Sequence, residues 1–152
     1  MKVEFIMDLT TSAPRSVSAT MLGIVQLART TDIAKGLAHG HVGEYKYDSP
    51  MNRDLFEYLE MDPRDFLDVV KGAKDDSEIE AYAKRFVARK DPQSVEAFNQ
   101  KRLSQVPTGD SLTHFNELRS RIAPDRLDVT TWPDLLDLEE GRMVPQREIV
   151  RA

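Results

Sequence analysis

The chain has 152 residues, 40% hydrophobic and 31% charged, with a formal charge of -5 and no cysteine. A chain of that length suits one ordinary domain and buries about 70% of the surface it exposes when unfolded. This composition excludes a disordered chain, the missing thiols exclude disulfides and cysteine-ligated metals, and the lack of a basic stripe argues against a nucleic-acid partner.

The first six residues, MKVEFI, differ in composition from the stretch beginning at Met7 and read as an alternative start. Residues 1–16 read as an irregular arm, with no apolar run long enough for a signal peptide or a membrane span, so a cytoplasmic protein without membrane association is expected. Residues 17–38 read as helical through Met21, Leu22, Val25 and Ala28, with a break at Gly23 or around Thr30-Thr31. AHGHVGEYKYDS then reads as a loop.

From there a capping side chain followed by proline recurs, at Ser49-Pro50, Asp62-Pro63 and Asp91-Pro92. The first helix shows Met51, Leu55, Tyr58 and Leu59 on one stripe, and the second buries Phe66, Leu67, Val69 and Val70 before Gly72. Asp75 with Glu78 opens a helix presenting Ile79, Tyr82, Ala83, Phe86 and Val87. The Asp91-Pro92 helix buries Val95, Phe98 and Leu103, and Gly109-Asp110 starts one with Leu112, Phe115, Leu118 and Ile122. The basic pairs Lys84-Arg85, Arg89-Lys90 and Lys101-Arg102 lie on these amphipathic segments beside acidic neighbours, as solvated faces do. LDVTTW is the only stretch that reads as a strand, residues 133–140 suit a helix, and residues 143–152 read as a mobile tail. The expected fold is all-α: a compact single domain over residues 1–152, built of about six short helices with a loop-rich N-terminal third.

Several separated motifs carry a resemblance. Asp8-Leu9-Thr10 with Pro14-Arg15-Ser16, Leu27 through Asp32, Gly43-Glu44-Tyr45, and Thr131-Trp132 with Asp134 through Leu138 and Glu140-Gly141-Arg142 succeed one another along nearly the whole chain. Together they resemble the bacterial family known as domain of unknown function 5069. The resemblance implies a bacterial, cytoplasmic protein and a set of shared positions, without a reaction. Ile33 stands where the family is usually more basic, and His39 and His41 stand where it usually lacks histidine.

The candidate binding residues are Arg15, Arg29, Asp32, Glu44, Tyr45 and Tyr47. Arg29 and Asp32, three apart on a helix, share a face and suit either a surface pair or a guanidinium and carboxylate aimed at a pocket. Glu44 supplies a base and the two tyrosines supply hydroxyl donors, although in an extended segment Glu44 and Lys46 face away from Tyr45 and Tyr47, and packing over the core edge suits the tyrosines too. His39, His41 and Glu44 lack a specific metal-ligand spacing, and neither a metal nor a cofactor is expected. No phosphate-binding loop, dinucleotide fingerprint, nucleophile elbow or metalloprotease motif is present.

The second candidate group is a docking segment at Trp132, Leu135, Asp137, Leu138 and Arg142, in which an indole anchors a helix with acidic and apolar strips side by side. Arg142 and Arg147 are positioned to neutralise part of its charge. These features lead to a non-catalytic helical module that binds a protein partner or itself. The alternative is a small cofactor-independent enzyme or anion-binding protein, with Arg15 and Arg29 holding an anion, Asp32 or Glu44 as base and Tyr45 or Tyr47 as donor.

Overall fold

The computed structural model describes residues 7–149. The alternative start at residues 1–6 and the last three residues of the expected tail lie outside them. Among the described residues the protein is mostly helical: a hairpin, β1 Thr20–Met21 and β2 Ile24–Val25, precedes α1 Leu27–Ala38, α2 Pro50–Leu59, α3 Pro63–Gly72, α4 Asp76–Val87, α5 Pro92–Leu103, α6 Ser111–Ile122 and α7 Trp132–Glu139. None of these helices is long and apolar enough to cross a membrane. The chain forms two compact units, one ending at Phe98 and one beginning at Asn99.

Helix starts obey the local chemistry. The side chain of Ser49 accepts from the Asn52 N–H, Asp62 accepts from Arg64 and Asp65, and a proline occupies the first turn of each helix. Asp75 accepts from Glu78 N–H while the Glu78 carboxylate reaches back to Lys74 N–H at 3.0 Å, a capping box extended by one residue. Asp91 does the same service for Gln93 N–H at 2.7 Å, and Thr131 for Asp134 N–H at 3.4 Å. Each uses a short oxygen-bearing side chain to satisfy a helix donor that has no partner within the helix.

Two expectations are corrected. Residues 17–26 are not helical: Thr20 pairs with Val25 and Met21 with Ile24 in an antiparallel hairpin. Its two connecting residues, Leu22 and Gly23, have φ of 57° and 79°, and Gln26, just before α1, has φ of 74°, values a right-handed helix cannot contain. LDVTTW is not a strand either. Val129 N–H closes a turn on the Arg126 carbonyl at 3.0 Å, and Thr131 is spent on capping α7.

In the first unit α1 packs on β1 and α3, and α3 on α4. The fully buried Phe66 of α3 lies edge-on to Phe56 of α2 at 5.7 Å and tilted to Tyr82 of α4 at 6.4 Å, making an aromatic centre for three helices. α1 buries polar residues along with apolar ones, Arg29, Thr30, Thr31 and Asp32 among them. Such groups require partners, and the partners define the site below.

The second unit centres on Phe115, Leu118, Val129, Leu135 and Val144, with Ile122, Trp132 and Leu138 packed around them. Trp132 sits edge-on to Phe115 at 5.0 Å, and its backbone N–H donates to the Gln105 carbonyl at 2.9 Å. Replacing Trp132 with alanine is expected to cost about 2 kcal/mol, below the 3–5 kcal/mol typical of a fully buried tryptophan because the indole is half-buried. Urea unfolding followed by far-UV circular dichroism checks this, and an unchanged midpoint would contradict the anchoring role.

Candidate functional site

The N-terminal segment crosses α1 because two glycines let it approach. A Cβ on Gly36 would stand 2.8 Å from Leu9 Cδ1. One on Gly43, which has φ of 61°, would stand 2.9 Å from the Leu9 carbonyl oxygen. Leu9 N–H then donates to the His41 carbonyl at 2.8 Å, tying the segment to the loop after α1.

Farther along the segment, Arg15 closes on Asp32 of α1. Its backbone N–H donates to Oδ2 at 2.8 Å, Nε to Oδ2 at 3.0 Å and Nη2 to Oδ1 at 3.0 Å. The Asp32 side chain is 5% exposed and that of Arg15 40% exposed, so a buried carboxylate is clamped by a half-open guanidinium. The hydrogen bond to Asp32 raises the Arg15 pKa, keeping the cation firmly charged. Asp76, at the start of α4, lies 3.5 Å from Arg15 Nη2 and pairs with Lys35. The buried Arg29 donates from Nη1 to the Arg15 carbonyl at 3.2 Å, and its guanidinium carbon lies 5.6 Å from the Tyr45 ring centre.

Arg15, Arg29, Asp32 and Tyr45 are thus brought together from three parts of the chain. Tyr47 points elsewhere. Its hydroxyl donates to the Pro63 carbonyl at 2.7 Å, and its ring lies edge-on to Phe56 at 5.6 Å. Burial pushes its pKa well above the usual phenol value, so it is a fixed neutral donor. Glu44 is exposed, in the turn that Tyr45 N–H closes on the Val42 carbonyl at 3.3 Å, while the tyrosines are half-buried. His39 Nδ1 accepts from Met7 N–H at 3.1 Å and His41 is exposed. Among the described residues no group of three His, Cys, Asp or Glu side chains is placed to hold a metal ion.

A buried polar network next to this cluster was not legible in the sequence. Gln26 Nε2 donates to Asn52 Oδ1 at 2.8 Å, and the Thr30 hydroxyl donates to the same oxygen at 2.7 Å. The Asn52 amide in turn donates to the carbonyls of Lys46 and Tyr47 at 3.3 and 3.0 Å. Gln26 and Thr30 are four apart, with the Thr30 N–H bonded to the Gln26 carbonyl at 2.9 Å, but nothing local points to Asn52. Gln26 Oε1 is buried without a hydrogen-bond partner.

The acidic segment of the second unit is occupied by arginines. Arg147 forks onto Asp134 with both distances 3.1 Å, and Arg142 pairs with Asp137 and Glu140. Leu135 is fully buried and Leu138 packs against the same core. The sequence did not single out Asp128, which accepts two bonds from Arg126 at 3.0 Å and one from Arg147 N–H at 2.8 Å. Arg126 also donates to the Val144 and Pro145 carbonyls at 3.0 and 2.9 Å. Residues 143–149 therefore carry no helix, yet Val144 enters the core and two arginines hold the segment.

The bonds from Arg126, then from the Arg147 N–H, hold the Asp128 carboxyl well below the usual carboxylate range. A depressed folded-state pKa gives stability that is complete above the unfolded value of about 4 and is lost as pH falls toward the folded one. An Asp128→Asn variant is therefore expected to be less stable than the parent at neutral pH, with the gap closing as pH drops below about 4. Urea midpoints read from Trp132 fluorescence test the sign, and a gap constant from neutral to acid pH would contradict it.

Two open surface depressions flank these elements. One, of about 370 Å³, lies at the α2–α3 turn around Phe56, Glu57, Glu60 and Asp62, and the other lies on the exposed face of α6 around Asn116 and Glu117. None of the candidate binding residues lines either one.

No curated protein matches the chain. A family model does, over residues 11–142, a span that takes in Arg15, Arg29, Asp32, Gly43, Tyr45 and the Trp132 segment and that ends at Arg142. The resemblance carried by those motifs is thereby established, and the chain belongs to the family described as Domain of unknown function (DUF5069).

Proposed function

We propose that the protein is a non-catalytic helical interaction module of the bacterial cytoplasm, acting on a protein partner or on a second copy of itself. One observation carries the reading: the acid–base candidates Asp32 and Tyr47 are already engaged within the fold. Asp32, a base candidate, takes three hydrogen bonds from Arg15, and the Tyr47 hydroxyl is spent on a backbone carbonyl. A general base must reach a substrate proton within hydrogen-bond distance, and a clamped carboxylate presents little free edge to do so. The cysteine-free composition supports a reducing compartment.

Light scattering across a concentration series, with affinity capture from the native host, tests the reading. A dose-dependent increase in mass, or a partner recovered reciprocally, is the expected result. A strict monomer that captures no partner overturns it.

A second reading, small-anion binding, is supported by the half-open Arg15 guanidinium, and by Arg29, which reaches the Arg15 backbone carbonyl and lies near the Tyr45 ring. Titration with inorganic phosphate, monitored at the arginine Nε–Hε resonances, distinguishes it: a saturable shift confined to Arg15 and Arg29 favours an anion site.

A further inference from the structure

The last two turns of α4 carry a cationic surface that neither unit's ion pairing consumes. Tyr82, Arg85, Phe86 and Arg89 are spaced three, one and three apart, so they lie on one side of the helix and of the turn that prolongs it. The Arg85 guanidinium lies 4.7 Å from the Tyr82 ring centre and 5.3 Å from that of Phe86, and Arg89 lies 5.2 Å from Phe86. The rings are half-buried, 5.2 Å apart, and Tyr82 is backed by Phe66. Lys84, Arg85 and Arg89 are all exposed. No carboxylate of the described residues pairs with these three, whereas Arg15, Arg126, Arg142 and Arg147 each hold one.

A guanidinium resting on an aromatic face keeps its in-plane N–H groups available and has already given up much of its rotamer freedom. Two such groups in a row are organised in advance for carboxylates, with less ordering cost on binding than free side chains incur. Favourable interaction with the helix C-terminal dipole explains cations in this turn but does not require them to stack on rings. The sign of the surface is local, since the chain as a whole carries -5. Along the same helix Asp76, Glu78 and Glu80 precede the cations. A nucleic-acid backbone laid along α4 would meet those carboxylates, whereas a short acidic stretch fits the cationic end alone.

We infer that the C-terminal half of α4 docks a short acidic segment of a partner protein, whose carboxylates meet Arg85 and Arg89 while its apolar side chains cover Phe86. This surface rests on the interaction-module reading and names the partner's chemistry.

The test is titration of the full chain with a capped hexaglutamate peptide at physiological salt, monitored by nitrogen-15 NMR. The wild-type protein shows saturable shifts at the Arg85 and Arg89 Nε–Hε signals and at the amides of residues 82–90. The Arg85→Gln/Arg89→Gln variant binds about tenfold more weakly, and Arg85→Lys/Arg89→Lys, which keeps the charge and loses the stacked fork, falls between them. Both positions are exposed, and equal melting temperatures establish that the variants fold. Equal affinity in the glutamine variant, shifts spread over basic residues elsewhere, or no shift in the wild type each overturns the inference. Tighter engagement of the same residues by a single-stranded oligonucleotide overturns it too, in favour of nucleic acid. A host partner that binds the glutamine variant undiminished removes this surface and leaves the interaction module intact. A strict monomer without partners whose Arg85 and Arg89 still bind hexaglutamate rejects the module and leaves the surface.

Discussion

Replacing Phe66 with alanine is expected to lower the unfolding free energy of the first unit by about 4 kcal/mol. The ring is fully buried, edge-on to Phe56 and tilted to Tyr82, so its removal takes a contact from α2, α3 and α4 together. The cost combines lost transfer energy with the cavity left behind, and three helices tied at their caps leave little room for collapse. Phe66→Leu, which keeps most of the volume, is expected to cost about 1 kcal/mol. Denaturant unfolding by far-UV circular dichroism separates the two variants. Equal losses would mean that the site is not the packed centre of this unit.

The Arg15 clamp gives the second large effect. Arg15→Met is expected to cost about 2 kcal/mol, because it leaves a nearly buried carboxylate with only the residue 15 N–H from the original three bonds. That figure lies below the 3–5 kcal/mol typical of a fully buried pair, because water already reaches the guanidinium. Asp32→Asn, which keeps an acceptor for the same N–H, completes a double-mutant cycle. The double variant is expected to lose about 1 kcal/mol less than the sum of the single variants. Strict additivity would show that the two side chains act independently, despite their geometry.

The helices after Ser49 were legible because their starting signals are local. A serine or aspartate before proline satisfies its own helix within three residues, whatever surrounds it. The hairpin was hidden for the opposite reason. Its strands are two residues long, too short for alternation to register, and its turn places Leu22, a residue that rarely takes positive φ, at 57°. For the site, residue types were readable and partners were not. Asp32 stood out beside Arg29 at helical spacing, but its clamp comes from Arg15, 17 residues earlier. Tyr47 stood out as a donor, and its acceptor lies 16 residues away at the start of α3. Asp128 escaped notice because the fork from Arg126, two residues away, reads as an ordinary surface pair until Arg147, 19 positions later, adds its N–H.

That last pairing affects the order in which the chain is completed on the ribosome. All residues of the first unit are present once residue 98 has been added, so that unit can begin to fold while synthesis continues. The second is not closed until Val144 fills its centre and Arg147 reaches back to Asp128 and Asp134, so nascent chains arrested around residue 140 would expose Phe115, Val129 and Leu135 to chaperones and proteases. Quality control would therefore sense whether the segment from Val144 to Arg147 has docked.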